Sequence, residues 1–310
     1  MVFATDAGAT GKCDSDPGAP SHGKFALSRY NKPEVRSEVL EQFKAQRASG
    51  FETLRTIVEL VPGDNPSGDF VSEDKIDDPV LNEVRSFTGD VRDAGFKQFI
   101  LGFGTLGAAA PNCKKKEWGD CFDPKTIAVT VEAERRIIQA ASSIDGVSLR
   151  LDLMNETCPS DSGPKSANTF RADLIRAVAK MHVASFSKIP ATVSCQIERS
   201  GDGLATVRQL FHDSGDHVGY FDVHAYPGPT RIEAKALQQA AKSLKGVEWP
   251  VIVGEISYGD PDYRRYVTDS YRASFHKDPP EILFWPRHGS SKCHFQLPLP
   301  YTLKGAMAEK

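Results

Sequence analysis

The chain has 310 residues, 40% of them hydrophobic and 25% charged, with a net charge of −3 at pH 7. This is ordinary globular composition, and the length suits one large α/β domain or two smaller ones. The charge gives no footing for a nucleic-acid or anionic-membrane partner, and no run of about 18 apolar residues exists to span a bilayer.

Residues 1–23 are rich in Gly, Asp, Ser and Pro and predict an irregular N-terminal segment, with residues 24–310 forming one domain. The segment lacks a signal peptide's long apolar core and reads as a polar mature start. KFALSRYN (Lys24 to Asn31) predicts a first short strand. Pro33 opens a helix with Val35, Val39, Leu40 and Phe43 at helical spacing, closed by Gly50. Thr53 to Pro62 is a second strand, followed by a long Gly/Ser/Asp loop. Asp78-Pro79 caps a second helix. Lys97 to Thr105 is a third strand, almost continuously apolar as in sheets covered on both faces. Its end, GFGTLG, matches GxGxxG but runs into a loop with Pro111 instead of opening a helix, so the dinucleotide-binding context is missing.

A long loop follows to about Lys125, then a third helix from Ile127 to Ser142. Val147 to Ser160, VSLRLDLMNETCPS, alternates apolar and polar residues as a fourth strand should and ends in Asn155-Glu156. Phe170, Leu174, Val178 and Met181 mark a fourth helix. Ala191 to Glu198 is strand five, and Leu204 to Phe211 a short fifth helix. Gly219 to Pro227 is strand six; Thr230 and Glu233 suit a capping box for helix six. PVIVGEIS is strand seven, Asp260-Pro261 caps helix seven, and Glu281 to Pro286 is strand eight, before a Pro-rich tail. Strict alternation of eight strands with seven clear helices predicts a parallel (β/α)8 TIM barrel, an α/β fold, with an open doubly wound sheet as the alternative.

Six cysteines occur without any CxxC or zinc-like Cys/His spacing. Cys113 and Cys121 share one loop and could close a small disulfide, which favours an oxidising, secreted or periplasmic location; free thiols are the alternative.

In a barrel the active site lies at the carboxyl ends of the strands. The strand-end candidates are Asn155 and Glu156 on strand four, His224 and Tyr226 on strand six, Glu255 on strand seven and Trp285 on strand eight. One strand-end Glu is most often a salt-bridged loop residue; two, together with an Asn, a His/Tyr pair and a Trp, are hard to assign to stability alone. Paired carboxylates suit glycosidic cleavage, one protonated to donate to the leaving oxygen and one ionised to attack or to activate water. Trp285 offers a ring face to a sugar. Trp118 is either a sugar platform or a buried loop anchor. Trp249 precedes strand seven and so belongs at the opposite end, and Asp222 sits one step too deep to count in the site. Lys114, Lys115 and Lys116 read as a solvated loop face or, since their loop should border the cleft, as an attractor for an acidic polysaccharide. Glu59 and Glu198 could reach the cleft or make structural ion pairs. The histidines show no HxH or HExxH spacing, which disfavours a metal hydrolase, and glycosidic cleavage by paired carboxylates needs no metal or organic cofactor.

The motifs NE at 155–156, HAY at 224–226, GE at 254–255 and Trp285, in this order across about residues 24–290, make the chain resemble the clan A glycoside hydrolases, the retaining (β/α)8 enzymes that include the cellulase-like families. The resemblance implies Glu156 as acid/base and Glu255 as nucleophile. It also implies Asn155 on the sugar 2-hydroxyl, Tyr226 orienting Glu255, and His224 near the cleavage point. Many clan members carry an Arg near the end of strand two that supports the nucleophile. Arg55 lies early in its strand, so that role is not transferred to it, and Arg29 on strand one stands as the substitute. The expected partner is a polysaccharide or oligosaccharide. The rivals are a transglycosylase using the same residues, a non-catalytic carbohydrate-binding barrel and, more distantly, a metal-dependent amidohydrolase.

Overall fold

The computed structural model describes residues 30–48, 50–61, 71–72, 76–104, 124–159, 165–196, 203–225, 233–246, 249–257 and 261–285. Its helices are α1 (Pro33–Ala48), α2 (Asp78–Asp93), α3 (Pro124–Ser142), α4 (Lys165–Ser185), α5 (Gly203–Asp213), α6 (Glu233–Ser243) and α7 (Pro261–Phe275). Its strands are β1 (Thr53–Val61), β2 (Val71–Ser72), β3 (Gln98–Gly104), β4 (Ser148–Asp152), β5 (Ala191–Thr192), β6 (Cys195–Gln196), β7 (Phe221–Ala225), β8 (Val251–Ser257) and β9 (Ile282–Trp285). Every pairing is parallel, in the orders β2-β1-β3-β4-β5 and β6-β7-β8-β9.

Residues 191–196 join the two sheets. The expected fifth strand divides, its first half pairing with β4 and its second with β7, while Val193 and Ser194 lie between. On the far side, Glu281, just before β9, accepts from the Thr53 hydroxyl of β1 and pairs with Arg150 of β4 at 2.8 Å. The sheets therefore curve round one shared interior, and the architecture is the (β/α)8 barrel.

Three departures from expectation appear. Most of Lys24–Asn31 lies outside the described residues, but Tyr30 and Asn31 form a turn, not a strand end. The Tyr30 ring is drawn into the helix layer, edge-on to Phe87 at 5.0 Å, and its hydroxyl donates to Asp90 at 2.6 Å. In the loop after β1, Val71 and Ser72 add a short parallel strand beside Leu60 and Val61. The cap of α2 is Asp77, whose side chain accepts from the Val80 N–H at 3.2 Å, so Asp78 and Pro79 fall in the first turn. Gly50 closes α1 with φ 89°, a conformation that costs glycine little. The Thr230 half of the expected capping box is outside the described residues.

The apolar core divides as a barrel requires. Most buried residues, among them Phe43, Phe87, Phe99, Leu151, Leu174, Phe211 and Val253, fill the layer between strands and helices. A separate cluster of Ile100, Tyr220, Ile252 and Leu283 plugs the interior. Fully burying such side chains contributes roughly 1.5–3 kcal/mol each. Toward the carboxyl ends of the strands this plug gives way to charge.

Candidate active site

The interior positions follow from strand alternation. Arg55, Ile100 and Arg150 are register partners across β1, β3 and β4, as are Gly102 and Asp152 one repeat further. Tyr220, just before β7, and Asp222 and His224 on it share a face by period two. On β8 strict alternation from the interior residue Ile252 would turn Glu255 outward. The register shift between Val223 and His224 prevents this: Val223 pairs with Val253, but His224 pairs with Glu255, skipping Gly254. This bulge re-aims Glu255 into the barrel. It also requires glycine, because a Cβ at Gly254 would fall 1.9 Å from Asp222 Oδ1.

Arg55 lies at the centre. Its Nη1 donates to Glu255 Oε1, its Nη2 donates to Asp152 Oδ2 at 2.7 Å and Asn155 Oδ1 at 2.8 Å, and its Nε stands 3.7 Å from Asp222. The expectation that Arg55 starts too early in its strand is thus corrected. The long Arg side chain covers about two residue steps of roughly 3.3 Å each, and strands in a barrel are staggered, so position in the strand does not measure depth. Arg29, the substitute named for this role, lies outside the described residues. Burial works against the Arg55 charge, but Glu255, Asp222 and Asp152 outweigh it and push its pKa above the ordinary value. Asp152 is raised by burial, with Arg55 opposing.

His224 links the pair of glutamates. Its Nδ1 is 3.0 Å from Glu156 Oε1 and 3.5 Å from Glu255 Oε2, and its Nε2 faces Asp222 Oδ1 at 3.6 Å. Burial disfavours the imidazolium, yet Glu255 and Asp222 more than compensate, against Arg55, and push the imidazole up to about 10. Asp222, set aside as too deep, therefore sits directly behind the histidine. The atoms of Glu156, His224 and Glu255 lie within 4.8 Å of one another. The two glutamates differ in access: the Glu156 side chain is 29% exposed and that of Glu255 4%.

Two trios, Asp152/Asp222/His224 and Glu156/His224/Glu255, have the donor types of a cation site. Arg55 already ion-pairs with a carboxylate of each, so a metal cation in either trio would sit against that fixed positive charge. The donors fit an internally neutralised network better.

Asn155, Glu156, His224 and Glu255 thus meet at one end of the barrel, together with Arg55, Asp152 and Asp222, which sequence reasoning missed. Their common signal is a charged residue at an interior position of an apolar strand. Trp285 ends β9, and its side chain is not among the described ones. Tyr226 and Trp118 lie outside the described residues, as do Glu198, the 114–116 lysines and the Cys113/Cys121 pair. Glu59 is half-buried beside Gly104. Trp249 precedes β8 as expected but is 43% exposed, stacked on His217 at 5.8 Å. A disulfide not foreseen, Cys158–Cys195, ties the loop after Glu156 to β6.

No protein-family model and no curated protein matches the sequence. Solved structures do resemble the fold. An endo-1,4-beta-mannanase from Eisenia fetida superposes with TM-score 0.60 at 13% identity, covering 89% of this chain and 87% of that one. GH5_18 from Streptomyces cattleya, in complex with GlcNAc, gives 0.58 at 13%, covering 92% and 74%. A GH5-4 broad specificity endoglucanase from Bacteroides salanitronis gives 0.56 at 16%, covering 86% and 82%. At these identities the likeness establishes the barrel fold.

Proposed function

We propose that the chain is a retaining glycoside hydrolase, with Glu255 as nucleophile and Glu156 as acid/base. The observation that carries this is the meeting of the two carboxylates on one histidine, with an oxygen of each and a His224 ring nitrogen within 4.8 Å of one another. Retaining glycosidases place the two carboxyl groups about 5–5.5 Å apart, and inverting ones roughly 6.5–9.5 Å to admit a water.

The assignment of roles follows from surroundings. Glu255 is enclosed and accepts a charge-assisted hydrogen bond from Arg55, which fixes one oxygen and aims the carboxylate for attack. Glu156 stands nearer solvent, where it can give a proton to a departing oxygen and later take one from water. In the first step Glu255 attacks the anomeric carbon as the Glu156 proton passes to the leaving oxygen. In the second, Glu156 removes a proton from water, which displaces Glu255 and frees the sugar. The Asn155 oxygen is occupied by Arg55, which leaves its NH₂ to face a sugar hydroxyl. The structural neighbours are named for mannan and glucan hydrolysis, which makes β-linked polysaccharides the first substrates to try.

The test is reducing-sugar release from mannans, β-glucans and xylans by wild type, Glu156→Gln and Glu255→Gln. Activity on one polymer, lost in both folded variants, is expected. Activity surviving Glu255→Gln would sink the nucleophile assignment. Binding without hydrolysis that persists in both variants would favour a non-catalytic barrel. Transfer to added sugar acceptors in place of water would mark a transglycosylase.

A further inference from the structure

Glu156 has φ 52°, in the left-handed region that a residue with a side chain seldom adopts. Among the described residues only His276 shares this feature outside glycine. Such a conformation persists only where its surroundings fix it. At Glu156 they do so on both sides. The Asn155 N–H donates to the Phe103 carbonyl at 2.7 Å, anchoring the turn to the end of β3. The Glu156 N–H donates to Ser194 Oγ at 2.9 Å, and that hydroxyl is 3.4 Å from Asn155 Oδ1. The Ser194 N–H in turn donates to Asp152 Oδ1 at 2.9 Å. Two residues after Glu156, Cys158 is joined to Cys195, with Cα atoms 5.2 Å apart.

The break between β5 and β6 makes this possible. Ser194 lies in the gap, fully buried, turned toward the end of β4. A hydroxyl both donates and accepts, so one group can take the Glu156 N–H and offer its proton to Asn155. No apolar residue at that place could do either. The disulfide is also buried, with Cys158 at 4% and Cys195 at 0% exposure, and fixes the chain where the hydrogen bonds end.

We propose that Ser194 and the Cys158–Cys195 disulfide are positioning groups for Glu156. Together they lock its left-handed turn, so that the carboxyl group stands over His224 and faces Glu255. The role of Glu156 as acid/base rests on the function proposed above; the lock itself does not. Loosening the lock should impair proton transfer more than attack by Glu255. In the first step a glycoside whose leaving group needs a proton should suffer, and one with an already acidic leaving group should not.

The experiment uses Ser194→Ala and, separately, the double variant Cys158→Ser/Cys195→Ser. Hydrogen–deuterium exchange read by mass spectrometry reports the 155–158 segment without any need for activity. Matched phenyl and dinitrophenyl β-cellobiosides and β-mannobiosides report the chemistry. Exchange of that segment is expected to rise about tenfold or more while the helices keep their protection. The kcat/KM for the phenyl glycoside, which reports the first step, should fall about 10- to 100-fold, as misplacement by about an ångström does, with that for the dinitrophenyl glycoside within about threefold. Unchanged exchange in both variants would overturn the lock. Equal losses of kcat/KM on both glycosides would reduce it to a purely structural tie and overturn the positioning role. If wild type cleaves neither glycoside and no polysaccharide, the proposed function fails, and the exchange arm still decides whether the lock exists.

Discussion

Arg55→Lys separates charge from geometry at the centre of the site. Lysine keeps the positive charge among Asp152, Asp222 and Glu255 but replaces a planar fork with one nitrogen. The guanidinium serves Glu255 from Nη1 while serving Asp152 and Asn155 from Nη2. A single ammonium cannot occupy both positions, so at least one charge-assisted bond is lost, worth roughly 1.5–3 kcal/mol. If the lost bond is the one to Glu255, about 2–3 kcal/mol of aim at the proposed nucleophile disappears. At about 1.36 kcal/mol per tenfold this is roughly a 30- to 150-fold fall in kcat, with KM little changed because the Arg55 side chain is only 5% exposed and its Nη nitrogens are taken up by protein partners. Urea unfolding should show a loss of about 1–3 kcal/mol. Arg55→Met, which leaves buried carboxylates uncompensated, should cost about 3–5 kcal/mol. Kinetics on an aryl glycoside that wild type cleaves decide the matter. A folded Arg55→Lys enzyme within about threefold of wild type would refute the claim that the fork controls Glu255.

Other outcomes follow from the same network. His224 is held up to about 10, against 6.5 in an unfolded chain. Its contribution to stability is therefore complete below pH 6.5 and is lost as the pH rises toward about 10. Urea unfolding across that window should show stability falling by up to about 1.4 kcal/mol per pH unit, and His224→Gln should flatten the curve. A wild-type curve already flat there would contradict the imidazolium. Glu134 of α3 is fully buried, and neither carboxyl oxygen finds a hydrogen-bond partner among the described residues. Burial holds it well above the usual carboxylate range, so Glu134→Leu should gain about 1–3 kcal/mol in chemical unfolding at neutral pH; a loss would reveal an unrecognised partner. Gly254→Ala drives a methyl into Asp222, and should cost about 2 kcal/mol or more and abolish activity. Adding Asp222→Ala should restore part of the lost stability, whereas simple additivity of the two single losses would disprove the clash.

The alternation of apolar strands and helices carried the barrel, because periods of two and near four survive any detail of loop geometry. The strand-end residues Asn155, Glu156, His224 and Glu255 were legible for a related reason: the ends of barrel strands are where an expensive polar group has a use. What escaped depends on relations between strands. The role of Arg55 is set by stagger, which one strand's sequence does not contain. The inward turn of Glu255 needs the skipped residue at Gly254, visible only in the pairing with β7. Ser194 looks like any small polar residue until the break between β5 and β6 turns it toward Glu156.

Local pattern thus locates groups along the axis of a barrel, while contact around its circumference is left to packing. The interior charges show how that gap can be narrowed. Arg55, Asp152 and Asp222 stand in strands otherwise apolar, in a place where an unpaired charge would cost several kcal/mol. Such charges must neutralise one another, and only the interior is common to all three strands. A balance of signs among inward positions would have joined Arg55 to the carboxylates before any coordinates were seen.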